Sequence, residues 1–452
     1  MLVFILPGVS PHLSGKTAAS VKHAFSDARV ILIHNEEESA AMVNQTLCEE
    51  SYPWFMTLHA GDVLLPHAKK EIEGWLETSP DNSAGYILNT ARTQGSAEIS
   101  KKTPSSPAQA PQVPLLWRTE LVLNDPSPGF TAIEKFPFQK YVLTDKMLEL
   151  STRYEWTEVV SNSIFRHERK APAWMKESEE WHALWPLLQA TAQGYKQAPL
   201  TGCSPLVTIA LCTYNDGAYL PWAVRSVMAQ TCEAWELVIL DDGSTEERTS
   251  HYLMRLPPDP RINLIRQKQN SGKAQALNRI LNVAKAAWLL ELDADDWLSP
   301  FALERLLLRA DMEQGVALIY ADHIEWVERA SKQLIYQGVR AAPASMSPSK
   351  LLDEAPAVAP RMYDVSVLKQ LGGWDHHHVY GGRLYEDIAL LMKLSRSHEL
   401  LHVPEALYHR RLRMSSMTHR HPHQYAIWKN SMKDKISTPE AGNQSSGQNA
   451  HE

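Results

Sequence analysis

Short apolar segments alternate with amphipathic segments along the second half of the chain. Largely apolar runs at 206–211, 237–240 and 288–292 have the length of buried strands, and a shorter run lies at 262–265. Between them, apolar residues recur at helical spacing, as they do in 224–228. Strands that alternate with helices predict an α/β fold with a doubly wound, mostly parallel sheet.

Composition along the chain predicts two domains. A tryptophan-rich segment with a helical pattern at 171–203 predicts a helical linker between a domain at 1–170 and a domain at 204–430. Four prolines within 341–360 predict a loop. The residues from 431 to 452 are polar and poor in apolar side chains, which predicts a disordered tail.

Length and charge exclude several classes of protein. The 452 residues are enough for two or three domains, and the net charge of −7 gives no indication of a nucleic-acid partner. The four cysteines are scattered without a C-x-x-C pair, which excludes a zinc ribbon and fits a reducing cytosol. The apolar run at 2–6 is too short for a membrane span and lacks the basic flank of a signal peptide. We therefore expect a cytoplasmic protein, with any membrane association peripheral and at the inner face.

A cluster of carboxylates follows the predicted strand at 288–292. The sequence there is DADD, at 293–296, and the carboxyl ends of strands in open α/β sheets are where ligands bind. Three acids in four residues repel one another unless a cation or a ligand hydroxyl compensates them. Mg²⁺ takes oxygen ligands and is usually shared between one or two carboxylates and substrate phosphates. The pattern indicates a metal–diphosphate site, with a solvated turn as the alternative.

Polar residues also follow two other predicted strands. Thr213, Tyr214 and Asn215 supply hydroxyls and an amide after the first strand, and Asp241 and Asp242 follow the second. These groups are suited to hydrogen bonding with a nucleotide base or ribose.

Six motifs in a fixed order make the chain resemble the family 2 glycosyltransferases of the GT-A fold. They are VTIALCTYN at 207–215, VILDDGS at 238–244, NSGK at 270–273, LDADD at 292–296, GGWD at 372–375 and ED at 386–387. Each motif alone is weakly specific, whereas six in this order over about 204–425 are a specific match. The resemblance implies inverting, metal-dependent transfer of a sugar from a nucleotide-diphosphate sugar to a hydroxyl of a glycan, lipid-linked or protein acceptor.

The resemblance also implies roles for individual residues. Asp295 is expected to ligate Mn²⁺ or Mg²⁺, and Asp387 is expected to be the general base, with Glu386 as the next candidate. Simple capping of a helix is the alternative for this acidic pair. The residues expected to bind the nucleotide sugar are Thr213, Tyr214, Asn215, Asp241, Asp242, Asn270, Lys273, Asp293 and Arg413.

One segment departs from the family's pattern. Many relatives carry an R-x-H-x-x-S-x-S-like segment whose histidine can reach the metal, but this chain reads RLRMSSMT at 411–418, with Arg413 at the histidine position. A guanidinium cannot ligate a metal, although it can pair with diphosphate oxygens. The third protein ligand is therefore left open.

The first half of the chain resembles the second. PWFMTLHAGDVLLP at 53–66 follows the pattern of 287–300, which suggests two tandem related domains. In this alignment Gly61 stands at the position of Asp295, so the first domain resembles a degenerate GT-A domain. A scaffold, an acceptor-binding module and a homodimer surface are the uses considered for it.

Three alternatives to the transferase remain at this point. A two-headed polysaccharide synthase would need both domains active, and Gly61 argues against that. A nucleotidyltransferase would want a glycine-rich, basic loop over the triphosphate, which 213–216 does not resemble. A non-catalytic sugar- or nucleotide-binding protein would result if Asp387 did not face the metal.

Overall fold

The computed structural model contains two open sheets, one in each half of the chain, and a separate two-stranded pair. The residues that it describes are 1–7, 11–34, 39–90, 113–124, 128–130, 142–151, 153–166, 187, 204–256, 259–313, 315–329, 334–377, 379–413 and 422–437.

The first half supplies a mixed sheet and the two-stranded pair. Its strands are β1 (Leu2–Leu6), β2 (Arg29–Leu32), β3 (Trp54–His59), β4 (Asp62–Leu64), β5 (Ser83–Thr90), β6 (Leu115–Arg118), β7 (Glu155–Ser161) and β8 (Ile164–Arg166). The sheet order is β2-β1-β3-β6-β5-β7, and β4 pairs with β8. Alternate residues of β1 belong to two different apolar clusters, so the strand is buried on both faces, which explains its uninterrupted apolar sequence.

The second half supplies the larger sheet. Its strands are β9 (Val207–Thr213), β10 (Trp235–Asp241), β11 (Ile262–Arg266), β12 (Trp288–Asp293), β13 (Trp297–Leu298), β14 (Val316–Glu328), β15 (Leu334–Arg340), β16 (Arg361–Asp364) and β17 (Glu399–Leu412). The order is β11-β10-β9-β12-β16-β14-β17-β13, with β15 paired to β14. The strands β11, β10, β9 and β12 are mutually parallel, which confirms the mostly parallel sheet predicted for this half.

Helices connect the strands in both halves. In the first half they are α1 (Ser14–Ala24), α2 (Ser39–Glu49), α3 (Ala68–Glu77), α4 (Thr119–Leu123) and α5 (Val142–Leu150), with a 3₁₀ helix at Pro11–Leu13. In the second half they are α6 (Leu220–Met228), α7 (Glu247–Leu253), α8 (Lys273–Val283), α9 (Ala302–Met312), α10 (Pro348–Glu354), α11 (Val365–Gln370), α12 (Glu386–Leu394) and α13 (Pro422–Ser437). Among the described residues, no helix is both long enough and apolar enough to cross a membrane.

The two sheets share a strand order. The segment β10-β9-β12-β16-β14-β17 of the second sheet matches β2-β1-β3-β6-β5-β7 of the first. Relative directions also agree, because β16 and β6 each run antiparallel to both neighbours while the other three pairings in each sheet are parallel. Within the described part of the first half, β11 and β15 have no counterpart. The two halves therefore have similar architectures.

The structure contains helices in two segments that were predicted to be irregular. The predicted loop at 341–360 contains α10, whose first turn is capped by the hydroxyl of Ser347. The disordered tail was predicted to begin too early, because α13 continues to Ser437 and buries Trp428 and Met432. Of the predicted linker, only Leu187, which is helical and buried, is among the described residues.

An ion pair joins the two halves. Arg225 on α6 donates to both carboxylate oxygens of Asp145 on α5, at 3.2 and 3.4 Å. The side chains are 18% and 7% exposed, so the pair is largely shielded from water. Trp222, on the same face of α6, belongs to the apolar cluster that contains Phe55 and Trp117 of the first sheet. The first domain thus packs against the first helix of the second.

This contact predicts that substitutions of Asp145 and Arg225 have coupled effects on the free energy of unfolding. Asp145→Asn and Arg225→Gln should each lower the free energy of unfolding by about 1.5–3 kcal/mol, because each leaves a charged partner poorly solvated. In a double-mutant cycle measured by urea unfolding, the two losses should be clearly less than additive. Arg29→Gln is the control, since the Arg29–Glu50 pair is 58% and 27% exposed and should contribute under about 1 kcal/mol. Strictly additive losses would mean that the ion pair does not hold the halves together.

Candidate functional site

A cavity of about 1010 Å³ lies at the carboxyl edge of the second sheet. It is lined by the ends of β9 and β12, by the first residues of α8 and α12, and by the end of β17. The sequence-predicted residues that line it are Thr213, Tyr214, Asp242, Asn270, Lys273, Asp293, Asp295, Glu386, Asp387 and Arg413. Residues separated by up to 200 positions therefore meet around one space.

Two residues that were predicted to bind the nucleotide do not line this cavity. Asn215 has φ 59°, and its side-chain oxygen accepts hydrogen bonds from the backbone N–H groups of 245–246 at 2.8 and 2.9 Å. Asp241 is 2% exposed and accepts from the backbone N–H of Ser244 at 2.9 Å and from Arg266 Nε at 3.2 Å. Both side chains hold loops that flank the cavity, and the nucleotide contacts expected of them stay a prediction.

Asp242 organises the start of α8. Its carboxylate accepts hydrogen bonds from the backbone N–H groups of Ser271 and Gly272, both at 2.8 Å. Gly272 has φ 92°, a conformation that favours glycine, and a Cβ there would lie 2.9 Å from the Arg383 side chain. Arg383 in turn donates to the side chain and backbone oxygen of Asn270. This loop determines where α8 begins and so directs Lys273 into the cavity.

Lys273 lies among three acids. Its Nζ is 2.6 Å from Asp293 Oδ1, 3.7 Å from Glu386 Oε1 and 4.0 Å from Glu291 Oε2. Burial disfavours the ammonium, but these acids outweigh it and raise the pKa of Lys273 above its usual value. In return, although burial opposes it, Lys273 lowers the pKa of Asp293 to about 2. These contacts show that Lys273 is paired with acids at the cavity and is not a freely solvated helix residue.

The adjacent acids Glu386 and Asp387 have different environments. Glu386 is 6% exposed, and burial raises its pKa to about 7 even though Lys273 opposes the shift. The side chain of Asp387 is 31% exposed and accepts a hydrogen bond from Arg361 Nη1 at 3.2 Å. Of the two, Asp387 is therefore the acid that solvent or a ligand can reach.

Sequence reasoning missed the charged pair beneath the cavity. Arg361 Nη2 donates to Glu291 Oε2 at 2.8 Å, and the side chains are 8% and 3% exposed. The other carboxylate oxygen of Glu291 accepts from Tyr363 Oη at 2.9 Å and from Trp374 Nε1 at 3.2 Å. The available signal was a glutamate inside an otherwise apolar strand, because charged residues are rarely buried without a partner. Arg361 thereby connects Glu291 on β12 with Asp387 on α12.

Arg413 bridges two acids at the opposite wall of the cavity. Its Nη2 is 2.6 Å from Asp295 Oδ2, and its Nη1 is 3.2 Å from Asp216 Oδ1. The guanidinium also lies over the ring of Tyr219, 4.6 Å from the centroid. Burial and the nearby Asp295 raise the pKa of Asp216 to about 6, while Arg413 opposes the shift. Asp216 was not singled out from the sequence, and only its position beside the TYN motif pointed to it.

The carboxylate oxygens at the cavity suit a hard cation whose remaining ligands come from substrate phosphates and water. Asp216, Asp293 and Asp295 present only carboxylate oxygens to the cavity. Within the described ranges, no three acidic, histidine or cysteine side chains converge tightly enough to hold a metal by themselves. Mg²⁺ is commonly held by one or two carboxylates together with substrate phosphates and water, so the residues present fit such a cation.

Comparisons with known proteins find a family model that matches part of the second half, and relatives that are similar to part of the chain. Residues 208–357 match the model described as glycosyl transferase family 2. The chain is 32% identical over 130 residues to succinoglycan biosynthesis protein ExoO of Rhizobium meliloti, covering 29% of this chain and 36% of that protein. It is 33% identical over 108 residues to the putative teichuronic acid biosynthesis glycosyltransferase TuaG of Bacillus subtilis, covering 24% and 43%.

A solved structure of S. aureus TarS 1–349 in complex with UDP-GlcNAc matches at 15% identity with a TM-score of 0.40, covering 52% of this chain and 68% of that one. The chain spans less than half the length of each of the two curated relatives. The family match covers β9 through α10 and includes the TYN, DDGS and DADD segments that line or flank the cavity. The segment 208–357 is therefore similar to glycosyl transferase family 2.

Proposed function

We propose that the chain transfers a sugar from a nucleotide-diphosphate sugar to an acceptor hydroxyl, with inversion at the anomeric carbon. The observation that carries this proposal is a single cavity lined both by the acids after β12, Asp293 and Asp295, and by the half-buried carboxylate of Asp387. A binding protein would need no accessible carboxylate in this position, so the arrangement favours an enzyme over a non-catalytic sugar-binding protein.

Asp387 is the general base in this proposal. It accepts the proton of the acceptor hydroxyl as that oxygen forms a bond to the anomeric carbon. The bond between that carbon and the diphosphate breaks, and its electron pair leaves with the diphosphate. Because the base takes a proton and forms no covalent bond, one displacement occurs and the configuration inverts. Glu386 is less accessible to an acceptor, since it is buried beside Lys273.

The second requirement of the reaction is stabilisation of the negative charge on the leaving diphosphate. Asp295 would hold Mn²⁺ or Mg²⁺, which when bound stabilises the negative charge of the leaving diphosphate. Thr213, Tyr214 and Asp242 line the part of the cavity assigned to the nucleoside, and Asn270 lies beside it. Asp293 faces the ribose in this assignment, and Lys273 keeps it ionised and oriented at 2.6 Å. The acceptor is a glycan, a lipid-linked molecule or a protein, and a peripheral position at a membrane is compatible with each.

The first domain is a degenerate copy that acts as a scaffold in this proposal. The shared strand order of the two sheets supports the repeat. At the strand ends, however, Gly61 has no side-chain oxygen, and Asp62 is fully buried and accepts from the backbone N–H of His59 at 2.7 Å. Asp145, which stands where Asp387 is, binds Arg225. These features disfavour a two-headed synthase.

Removal of the carboxylate that would hold the cation tests whether turnover depends on a metal. Asp295→Ala should abolish turnover supported by Mn²⁺ or Mg²⁺, because the cation loses its protein ligand while the apolar cores stay unchanged. A panel of nucleotide sugars, assayed for metal-dependent hydrolysis, identifies the donor first. Wild-type activity that persists in EDTA, or an active Asp295→Ala protein, would refute the assignment.

Substitution of the base should separate binding from transfer. Asp387→Asn is nearly isosteric but cannot accept the proton, so transfer should fall by roughly 10²–10⁴-fold while the affinity for the nucleotide sugar persists. The measurement is the transfer rate beside the dissociation constant of the donor. Glu386→Gln is the matched control and should retain much more activity. The opposite ranking would assign the base to Glu386.

The degenerate first domain predicts one metal–nucleotide site per chain. Calorimetric titration of Mn²⁺ and donor should give a stoichiometry of one, lost in Asp295→Ala and kept in His59→Ala, because histidine is a poor ligand for hard cations. A second site that survives Asp295→Ala would revive the two-headed synthase.

A further inference from the structure

The Arg413 bridge is accessible from the cavity. The side chains of Arg413, Asp216 and Asp295 are 20%, 20% and 19% exposed, and all three line the cavity. By contrast, Arg411 is 0% exposed and pairs with Glu328 at 3.4 Å, as expected of a purely structural pair. A ligand that enters the cavity can therefore reach and rearrange the Arg413 bridge.

The bridge occupies one of the two carboxylate oxygens that Asp295 could offer to a cation. Arg413 Nη2 lies 2.6 Å from Asp295 Oδ2, a charge-assisted hydrogen bond of short length. A guanidinium and a divalent cation cannot share that oxygen without repelling each other. The planar guanidinium is, however, well matched to phosphate oxygens, which offer it new partners when it leaves the carboxylates.

We propose that Arg413 is an internal counter-cation that competes with the divalent cation for Asp295 and moves to diphosphate oxygens when the nucleotide sugar binds. This inference rests on the proposed function, which assigns the cation to Asp295. Its consequence is coupling between the ligands. Diphosphate draws Arg413 away from Asp295 and so strengthens cation binding, and by linkage the cation strengthens diphosphate binding to the same extent. Without diphosphate, the cation should bind weakly.

Binding of Mn²⁺ alone to the full chain tests this competition. Free Mn²⁺ is measured by electron paramagnetic resonance, without nucleotide. Arg413→Gln should bind Mn²⁺ more tightly than wild type by on the order of 10–100-fold, the effect of one charge-assisted hydrogen bond. Arg413→Lys, which keeps the charge but cannot bridge both acids, should lie between them. Arg383→Gln is the matched control, because Arg383 lines the same cavity but contacts Asn270, and its effect should stay below about threefold.

A second measurement tests whether Arg413 binds diphosphate oxygens. Inorganic pyrophosphate, titrated calorimetrically in EDTA, should bind Arg413→Gln at least about tenfold more weakly than wild type, because the guanidinium is its expected partner. Equal Mn²⁺ affinity in wild type and Arg413→Gln, lost in Asp295→Ala, would overturn the competition while leaving the metal assignment intact. Failure of both wild type and Arg413→Gln to bind Mn²⁺ through Asp295 would overturn the metal assignment together with this inference.

Discussion

Compensation of crowded carboxylates by internal cations is the constraint on which the candidate site depends. Lys273 and Arg361 each join an acid of β12 to an acid at the start of α12. Arg413 joins the loops that follow β9 and β12. Desolvated charges are costly unless they are paired with good geometry, so each cation is held by the acids that it compensates. The three bridges therefore position the loops and helix ends that surround the cavity, in addition to balancing charge.

The same electrostatics gives neighbouring residues different chemistry. Glu386 and Asp387 are adjacent in sequence, yet burial raises the pKa of Glu386 to about 7, whereas Asp387 is half-buried and paired with Arg361. Two carboxylates whose environments differ in this way can serve different purposes in one site. Glu386 supports Lys273 from within the protein, and the reachable carboxylate is left to Asp387. The buried Glu291–Arg361 pair lies behind this helix start, and Arg361 also contacts Asp387.

The two sheets share a strand order, but the side chains at their strand ends differ. A strand order shared with the second sheet requires only that apolar residues recur in the right strands. A site requires particular side chains at the strand ends, and these are few. Gly61 and His59 stand where the second domain has acids, while Asp145 contacts Arg225 across the interface. Asp145 thus contributes to the packing of one domain on the other.

The local sequence determined the strands, their alternation with helices and the set of motifs at the strand ends. The apolar run at 237–240 is fully buried in the sheet, as its composition predicts. Most of the predicted site residues line one cavity for the same reason, since parallel strands bring their carboxyl ends to one edge. The helix inside 341–360 escaped prediction because its prolines obscured a short capped turn, and the extent of α13 depends on burial of Trp428 and Met432.

Only the tertiary structure decided which charges are paired. Arg413 and Asp216 are 197 residues apart, and Arg361 and Glu291 are 70 apart. No local pattern links residues at such separations, because their contact results from the packing of strands and loops that are distant in sequence. The same packing turned Asn215 and Asp241 toward loop backbone instead of the cavity. Residue type and motif order indicate the chemistry available to this chain, whereas burial and charge pairing, which exist only in the folded state, determine which side chains can perform it.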